Sequence, residues 1–136
     1  MTYACTYCSR EKSDAPGDIP AKERYSSKRI KEVLDICARR NLPLLFLSGK
    51  YGLIKAEKEI SFYNQRLVDE LVPQITELAI KQAKELEISE LIFFTKSSND
   101  KLRPYYEVME AVSKQLGINL IIESLNSQIQ PFQLGK

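Results

Sequence analysis

The chain is organised around one run, Leu44-Leu45-Phe46-Leu47-Ser48-Gly49-Lys50-Tyr51-Gly52-Leu53. The first four residues of this run are apolar, which is typical of a strand buried on both faces of a sheet. The run then becomes polar, with a serine, two glycines, a lysine and a tyrosine. A buried strand that ends in such a loop places backbone amides, a hydroxyl and an ammonium at a sheet edge, where open α/β folds bind ligands.

Strand patterns alternate with helix patterns on both sides of this run. Short apolar runs predict strands at residues 2–8, 44–47, 91–95 and 119–123. Helical spacing predicts helices at residues 21–40 and 68–87, and a third that starts near Pro104 and ends at Gly117. Pro73 lies either in the first turn of the second helix or at a kink within it. The alternation predicts one α/β domain over residues 1–136, a three-layer α/β/α sandwich with a four-stranded, mostly parallel sheet and an irregular tail at 124–136.

The composition excludes several classes of protein. The net charge of +2 on 136 residues does not by itself indicate nucleic acid or anionic lipid. No apolar run approaches the ~20 residues that span a bilayer, and the first residues lack a signal-peptide pattern, so we expect a cytoplasmic protein without membrane contact. The absence of histidine excludes Ser-His and Cys-His catalytic pairs and histidine-ligated metals. Three cysteines do not suit a secreted disulfide scaffold.

Polar residues follow all four predicted strands. The carboxyl ends of parallel strands meet at one edge of a sheet, so we expect these side chains to converge there. The candidate substrate-binding residues are Ser9, Tyr25, Ser27, Ser48, Gly49, Lys50, Tyr51, Tyr63, Lys96 and Ser97. Lysines among hydroxyls suit an anionic, hydrogen-bonding ligand such as a nucleotide, or a base with its phosphate. The alternative is that these residues are ordinary polar loops with solvated lysines.

Three residues are candidate catalytic groups. Cys8 ends the first strand close to Arg10 and Lys12, and cations near a cysteine favour a reactive thiol. Lys12 is expected to hold a phosphate or polarise a carbonyl. Glu59 follows the central loop and is a candidate general base, although a solvated glutamate fits the same position.

Two other chemistries are weighed against this one. The spacing around Lys50 is not that of a P-loop, so ATP hydrolysis has no support. Cys5 and Cys8 form a Cys-x-x-Cys pair, but a zinc site needs two more soft ligands and the chain offers only Cys37. In a strand, positions 5 and 8 point to opposite faces. A thiol-redox protein is therefore the least favoured alternative.

Four blocks within residues 1–70 resemble an uncharacterised family of small bacterial, archaeal and phage α/β domains. The blocks are Cys8-Ser9-x-x-Lys12, Ala21-x-x-Arg24-Tyr25-x-Ser27, Leu47-Ser48-Gly49-Lys50-Tyr51-Gly52-Leu53-Ile54 and Ile60-x-x-Tyr63-x-x-x-Leu67. Gly49 stands where that family has alanine, and Asn64 where it commonly has aspartate. More distantly, the first block is similar to a Cys-x-x-x-Lys segment of archaeosine synthase, which modifies a deazaguanine base in tRNA. That similarity implies that Cys8, Lys12, Tyr25 and Ser27 belong to one site.

The architecture also looks like the uracil-DNA glycosylase-like superfamily, which binds nucleobases at the same sheet edge. The catalytic Asp-Pro-Tyr-His and His-Pro-Ser motifs of that superfamily are absent, so glycosylase activity is not expected. We predict an enzyme directed at a nucleobase, nucleotide or nucleic acid, and the alternative is a binding module without catalysis. The sequence indicates no metal, names no cofactor and leaves the oligomeric state open.

Overall fold

A computed structural model of the chain describes residues 1–96 and 101–125. The strands are β1 (Thr2–Tyr7), β2 (Ile19–Pro20), β3 (Leu44–Ser48), β4 (Gly52–Lys55), β5 (Glu59–Ile60), β6 (Glu90–Thr95) and β7 (Asn119–Ser124). The helices are α1 (Ala21–Arg24), α2 (Lys28–Arg40), α3 (Val72–Glu85) and α4 (Arg103–Leu116), with a 3₁₀ turn at Asp69–Leu71. Candidate residue Ser97, and most of the tail predicted as irregular, lie outside the described residues.

The main sheet is mostly parallel, as predicted. Its strand order is β4-β3-β1-β6-β7. The β1 strand pairs in parallel with β3 and β6, and β6 pairs in parallel with β7. This order places the ends of β1, β3 and β6 side by side, where the candidate residues were expected to meet.

The sheet has five strands, so the predicted count of four is one short. The extra strand, β4, is antiparallel to β3, and Ser48 pairs with Gly52 across a three-residue turn. Gly52 has a φ of 72°, a left-handed conformation that closes such a hairpin and that glycine adopts without strain. The polar loop predicted after the central strand is therefore a hairpin turn. A separate two-stranded sheet, in which β2 pairs antiparallel with β5, was not predicted either.

The helix predicted over residues 21–40 is two helices. The backbone at Tyr25 is extended and ends α1, and Ser27 then caps α2, because its Oγ accepts a hydrogen bond from the N–H of Ile30 at 3.3 Å. In the second helix, Pro73 lies in the first turn of α3, one of the two predicted placements. The third predicted helix is α4, which ends at Gly117 with a φ of 67°, as predicted.

The core lies on the three central strands. Every residue of β3 is buried, and so are Phe93 and Phe94 of β6. The α3 and α4 helices pack against each other, and α2 packs on β1. The predicted three-layer arrangement stays a prediction. No helix of the described ranges is long and apolar enough to cross a bilayer.

Arg24 fixes the long loop between β1 and β2. Its guanidinium is fully buried and donates hydrogen bonds to four backbone carbonyls, whose acceptor residues are Ser13 at 2.8 Å, Ala15 at 2.9 Å, Gly17 at 2.6 Å and Ile60 at 3.2 Å. A charged donor to a carbonyl is stronger than a neutral donor. One arginine therefore ties the loop to the small sheet and holds the chain that carries Lys12 close to the end of β1.

Candidate functional site

Cys8 lies at the centre of the candidate site, directly after β1. Its backbone N–H donates to the carbonyl of Leu47 at 3.0 Å, so the pairing with β3 continues one residue past the strand. Its Sγ is 3.5 Å from the hydroxyl of Tyr105, which comes from α4. That hydroxyl also accepts the N–H of Leu67 at 3.3 Å. Either the phenol or the thiol can donate in the contact between Tyr105 and Cys8.

Lys12 is placed beside this thiol by backbone pairing. Lys12 forms an isolated antiparallel bridge with Tyr25. Next to it, the backbone N–H of Ser13 donates to the carbonyl of Arg24 at 2.8 Å. The Nζ atom of Lys12 is 4.8 Å from the centre of the Tyr63 ring, within the range of a cation–π contact. Burial lowers the pKa of Lys12, while negative charge at Cys8 opposes that shift. The site therefore contains an amine that loses its proton more readily than a solvated lysine.

Ser48, Tyr63 and Tyr25 form a chain of hydroxyl groups. The Ser48 Oγ is 2.8 Å from the Tyr63 oxygen, which is 2.5 Å from the Tyr25 oxygen. The Ser48 Oγ also accepts the backbone N–H groups of Lys50 and Tyr51, both at 3.0 Å. A hydroxyl has two lone pairs and one hydrogen. Both lone pairs of Ser48 are occupied, so its hydrogen goes to Tyr63.

Because Ser48 donates to Tyr63, one of the two phenolic hydrogens of Tyr63 and Tyr25 is not used within the chain of hydroxyl groups. The single bond between Tyr63 and Tyr25 uses the hydrogen of one phenol, and the other hydrogen has no acceptor among the residues that the structure describes. Burial raises the pKa of both tyrosines well above its usual value, and negative charge at Cys8 adds to the shift. Both phenols therefore stay protonated at neutral pH. The pair offers one hydrogen-bond donor close to the thiol and the amine.

Two clefts open beside Cys8. The first, which we call the Tyr105 cleft, has a volume of about 510 Å³. It is lined by Tyr7, Cys8, Ser9, Arg10, Lys12, Asn64, Gln65, Arg66, Lys101, Leu102 and Tyr105. The second, the Arg29 cleft, has a volume of about 480 Å³. It is lined by Tyr7, Cys8, Ser9, Arg10, Glu11, Ser26, Ser27, Lys28, Arg29 and Lys96. Residues 7–10 line both clefts, and both volumes lie in the range of small-molecule sites.

The linings of the two clefts are strongly cationic. The basic residues are Arg10, Lys12, Lys28, Arg29, Arg66, Lys96 and Lys101. Glu11 is the one acidic residue in either described lining. The whole chain is nearly balanced, with 20 basic and 18 acidic residues. The positive charge is thus concentrated around Cys8, where it attracts anions.

Arg29 is a site residue that the sequence reasoning missed. Its guanidinium lies 3.6 Å from the centre of the Tyr7 ring. It donates to Thr6 Oγ1 at 2.7 Å and to the carbonyls of Tyr7 and Cys8 at 2.9 and 3.2 Å. The sequence did contain a signal for this role. Arg29 is four residues before Val33 and therefore falls on the buried stripe of α2. A cation on an apolar stripe indicates a specific partner.

No protein-family model, curated protein or solved structure matches this chain significantly. The resemblance of residues 1–70 to a family of small α/β domains therefore stays a prediction. The candidate site rests on its own geometry and charge.

The structure brings most of the predicted site residues together. Five of them line the clefts: Cys8, Ser9, Lys12, Ser27 and Lys96. Three more form the hydroxyl chain: Tyr25, Ser48 and Tyr63. The Ser9 hydroxyl donates to the carbonyl of Glu11 and so shapes the loop that leads to Lys12. The grouping places the predicted thiol and amine next to the predicted hydroxyl groups.

The other predicted residues lie at the margin of the site. Lys50 and Tyr51 are in the hairpin turn, with the Lys50 Nζ 5.3 Å from the centre of the Tyr51 ring and 5.8 Å from that of Tyr63. Neither residue lines a described cleft. Glu59 is exposed on β5 and lines neither cleft, so its role as a general base stays a prediction.

Gly49 supports the site through its small size. A Cβ built on Gly49 would be 2.4 Å from the backbone nitrogen of Leu67, the same nitrogen that donates to Tyr105. The alanine of the resembling family would therefore displace this part of the chain. The close approach of two backbones here requires glycine.

The structure shows the three cysteines unpaired, and the thiol-redox alternative stays a prediction. All three are free thiols. Burial raises the pKa of Cys5 far above its usual value, with negative charge at Cys37 adding to the shift, and burial raises that of Cys37 to about 11. Cys5 thus interacts with Cys37, whereas the Cys8 sulfur meets Tyr105. The described residues contain no group of three or more metal-binding side chains.

Proposed function

We propose that this protein is an enzyme that acts on the base of a nucleotide or nucleic acid, with Cys8 and Lys12 as its catalytic residues. The observation that carries the proposal is the excess of basic side chains in the two clefts that meet at the Cys8 thiol. Cations of this density bind phosphate groups, while the thiol, the amine and the phenolic donor remain for the base. The resemblance to base-modifying proteins supports the same assignment.

Each group has a distinct proposed role. Cys8 is the nucleophile: its proton passes to Lys12, its sulfur adds to an unsaturated ring carbon of the base, and the electron pair of the opened double bond moves onto the base. The Tyr105 hydroxyl, which lines the same cleft, stabilises the negative charge that forms there. Lys12 is the proton donor or acceptor, a role that its lowered pKa favours. The basic residues position the phosphate. We also infer that helices cover both faces of the sheet, because most residues of the three central strands are buried. We infer further that the protein works in the cytoplasm, where free thiols persist.

One observation favours a second function, a binding module without catalysis. The side chain of Cys8 is only 7% exposed, which restricts the approach of a base to its sulfur. In that case the clefts recognise the phosphate and the base, and no bond to the thiol forms.

Binding is tested first by thermal unfolding with nucleotides. A ligand that binds only the folded state raises the melting temperature in proportion to the logarithm of its concentration. We expect phosphate-bearing nucleotides to stabilise the wild type, and Arg10→Ala, at the basic residue common to both clefts, to remove that response. Lys84→Ala on α3 is the matched control and keeps the response. Stabilisation by neither nucleotides nor oligonucleotides would contradict the proposal.

Catalysis is tested separately from binding. Wild type and Cys8→Ser are incubated with a mixture of RNA and DNA, and the nucleosides are then analysed by mass spectrometry. A mass change that wild type produces and Cys8→Ser does not would support the enzyme. Binding by both proteins with no new mass would instead assign the binding module.

A further inference from the structure

The basic residues lie on both sides of one short stretch of chain. Lys12 and Arg66 belong to the Tyr105 cleft, Lys28 and Lys96 belong to the Arg29 cleft, and Arg10 lines both. A mononucleotide with a single phosphate would use the cations of one cleft and leave those of the other without a ligand. The charge pattern therefore fits an anion that extends through both clefts.

We propose that the ligand of this site is a single nucleic-acid strand that crosses both clefts over residues 7–10, with one base facing Cys8. This inference rests on the proposed function and narrows the class of ligand to a single nucleic-acid strand. A strand carries a phosphate on each nucleotide, so successive phosphates meet cations in both clefts. Arg10, the exposed residue common to both linings, contacts the backbone where it passes from one cleft to the other.

The burial of the thiol explains why the strand is single. Cys8 is only 7% exposed, so only a base that leaves its stack can reach the sulfur. Bases within a duplex are stacked and paired, whereas bases of a single strand are free to turn toward a pocket. The buried Arg29 guanidinium lies on the Tyr7 ring and bonds the carbonyls of Tyr7 and Cys8, so it fixes the chain beside the thiol and adds positive charge there.

The experiment measures fluorescence anisotropy with labelled dT12, labelled U12 and labelled thymidine monophosphate. We expect the 12-mers to bind at least about tenfold more tightly than the mononucleotide. The affinity for a strand falls with salt, with a slope near −0.7 per phosphate contact, and we expect a slope corresponding to about three contacts or more. The DNA and RNA arms show which sugar the site accepts, and binding to either supports the inference.

Matched variants test the two clefts separately. Arg66→Gln removes a cation from the Tyr105 cleft and Lys28→Gln removes one from the Arg29 cleft, and both side chains are exposed. Each should weaken 12-mer binding by about threefold to tenfold and reduce the salt slope by about 0.7, and the double variant should show the product of the two effects. Lys84→Gln, outside both clefts, should bind like wild type.

Several results would overturn the strand while leaving the proposed function in place. They are equal affinity for mononucleotide and 12-mer, sensitivity to only one of the two cleft variants, and equal competition by a DNA duplex. Equal competition by polyglutamate would show an unspecific polyanion site and would also overturn it. If neither the mononucleotide nor the 12-mers bind at all, the proposed function fails together with the inference.

Discussion

The hydroxyl of Ser48 donates its hydrogen to the phenolic oxygen of Tyr63, 2.8 Å away. The direction is fixed because two backbone N–H groups of the hairpin turn already occupy the serine lone pairs. A turn in the main sheet thus determines the direction of the hydrogen bond to Tyr63, whose ring is buried next to Lys12. Local backbone geometry and the chemistry of the candidate site are connected through this one oxygen.

Tyr63→Phe tests the hydroxyl chain. The substitution leaves Ser48 with a buried hydrogen that has no acceptor and deprives Tyr25 of its hydrogen-bond partner. We expect a loss of about 1–3 kcal/mol in the free energy of unfolding, measured in urea. Tyr51→Phe is the control, because its hydroxyl meets only the exposed Ser61 at 3.4 Å, and it should change stability by less than about 0.5 kcal/mol. Equal losses in the two variants would argue against an ordered chain.

Arg24→Met tests the buried guanidinium. Four backbone carbonyls lose their donor, and we expect the protein to lose about 3 kcal/mol of stability or more. Hydrogen exchange in the loop at residues 13–17 should accelerate more than in β6. Arg39→Met serves as comparison, because Arg39 is exposed and pairs with exposed Asp35 at 2.9 Å, so its effect should be below about 0.5 kcal/mol. Unchanged exchange in the loop would show that Arg24 does not hold it.

Gly49→Ala tests the close contact under the site. The new methyl group meets the backbone of Arg66 and Leu67, which must move, and overpacking of this kind costs about 1–3 kcal/mol. The Leu67 N–H bonds Tyr105, so the rate of Cys8 alkylation by iodoacetamide should change as well. Gly17→Ala has open space but a φ of 77°, so it should cost only about 1 kcal/mol and leave the alkylation rate unchanged. A stable Gly49→Ala protein with wild-type alkylation would contradict the packing.

The pKa of Lys12 is lowered by burial, so this amine should react with an acylating reagent at a lower pH than free lysine in the same tube. Labelling is followed by mass spectrometry of the Lys12 peptide as a function of pH. Negative charge at Cys8 opposes the shift, so in Cys8→Ser the pKa of Lys12 should fall further. Folding disfavours the charged amine, so it costs stability at neutral pH. That cost begins to fall as the pH rises past the lowered folded pKa, and it is gone above the ordinary pKa of the unfolded chain. Coincident labelling curves for Lys12 and free lysine would refute the shift.

The sequence predicted the order of the elements well where a pattern repeats over many residues. The parallel strands and the Gly117 end of α4 followed from local spacing, and the position of Pro73 in the first turn of α3 was one of two predicted placements. It missed β4, because four residues directly after a turn suit a loop as well as a strand. The sequence-based prediction of one helix over residues 21–40 also missed the break between α1 and α2 at Tyr25, because the apolar stripe of α2 begins only at Ile30.

The candidate site was predicted in part for the same reason. Cys8 and Lys12 were found because they follow a recognisable strand. Tyr105 was not among the candidate residues, since nothing near it in the chain indicates that its hydroxyl meets a sulfur 97 positions away. Arg66 belongs to a loop that no pattern places near Cys8, yet it lines the same cleft.

The sequence alone therefore determined the four long strands and the order of the main helical segments between them, because hydrophobic period, caps and turn residues act over a few positions. The tertiary structure alone decided that Arg29, Tyr105 and Arg66 join Cys8 and Lys12, and that the Ser48 hydrogen points at Tyr63. The physical reason is that side-chain direction depends on strand register and on the packing of distant segments. No local pattern encodes these before the chain is folded.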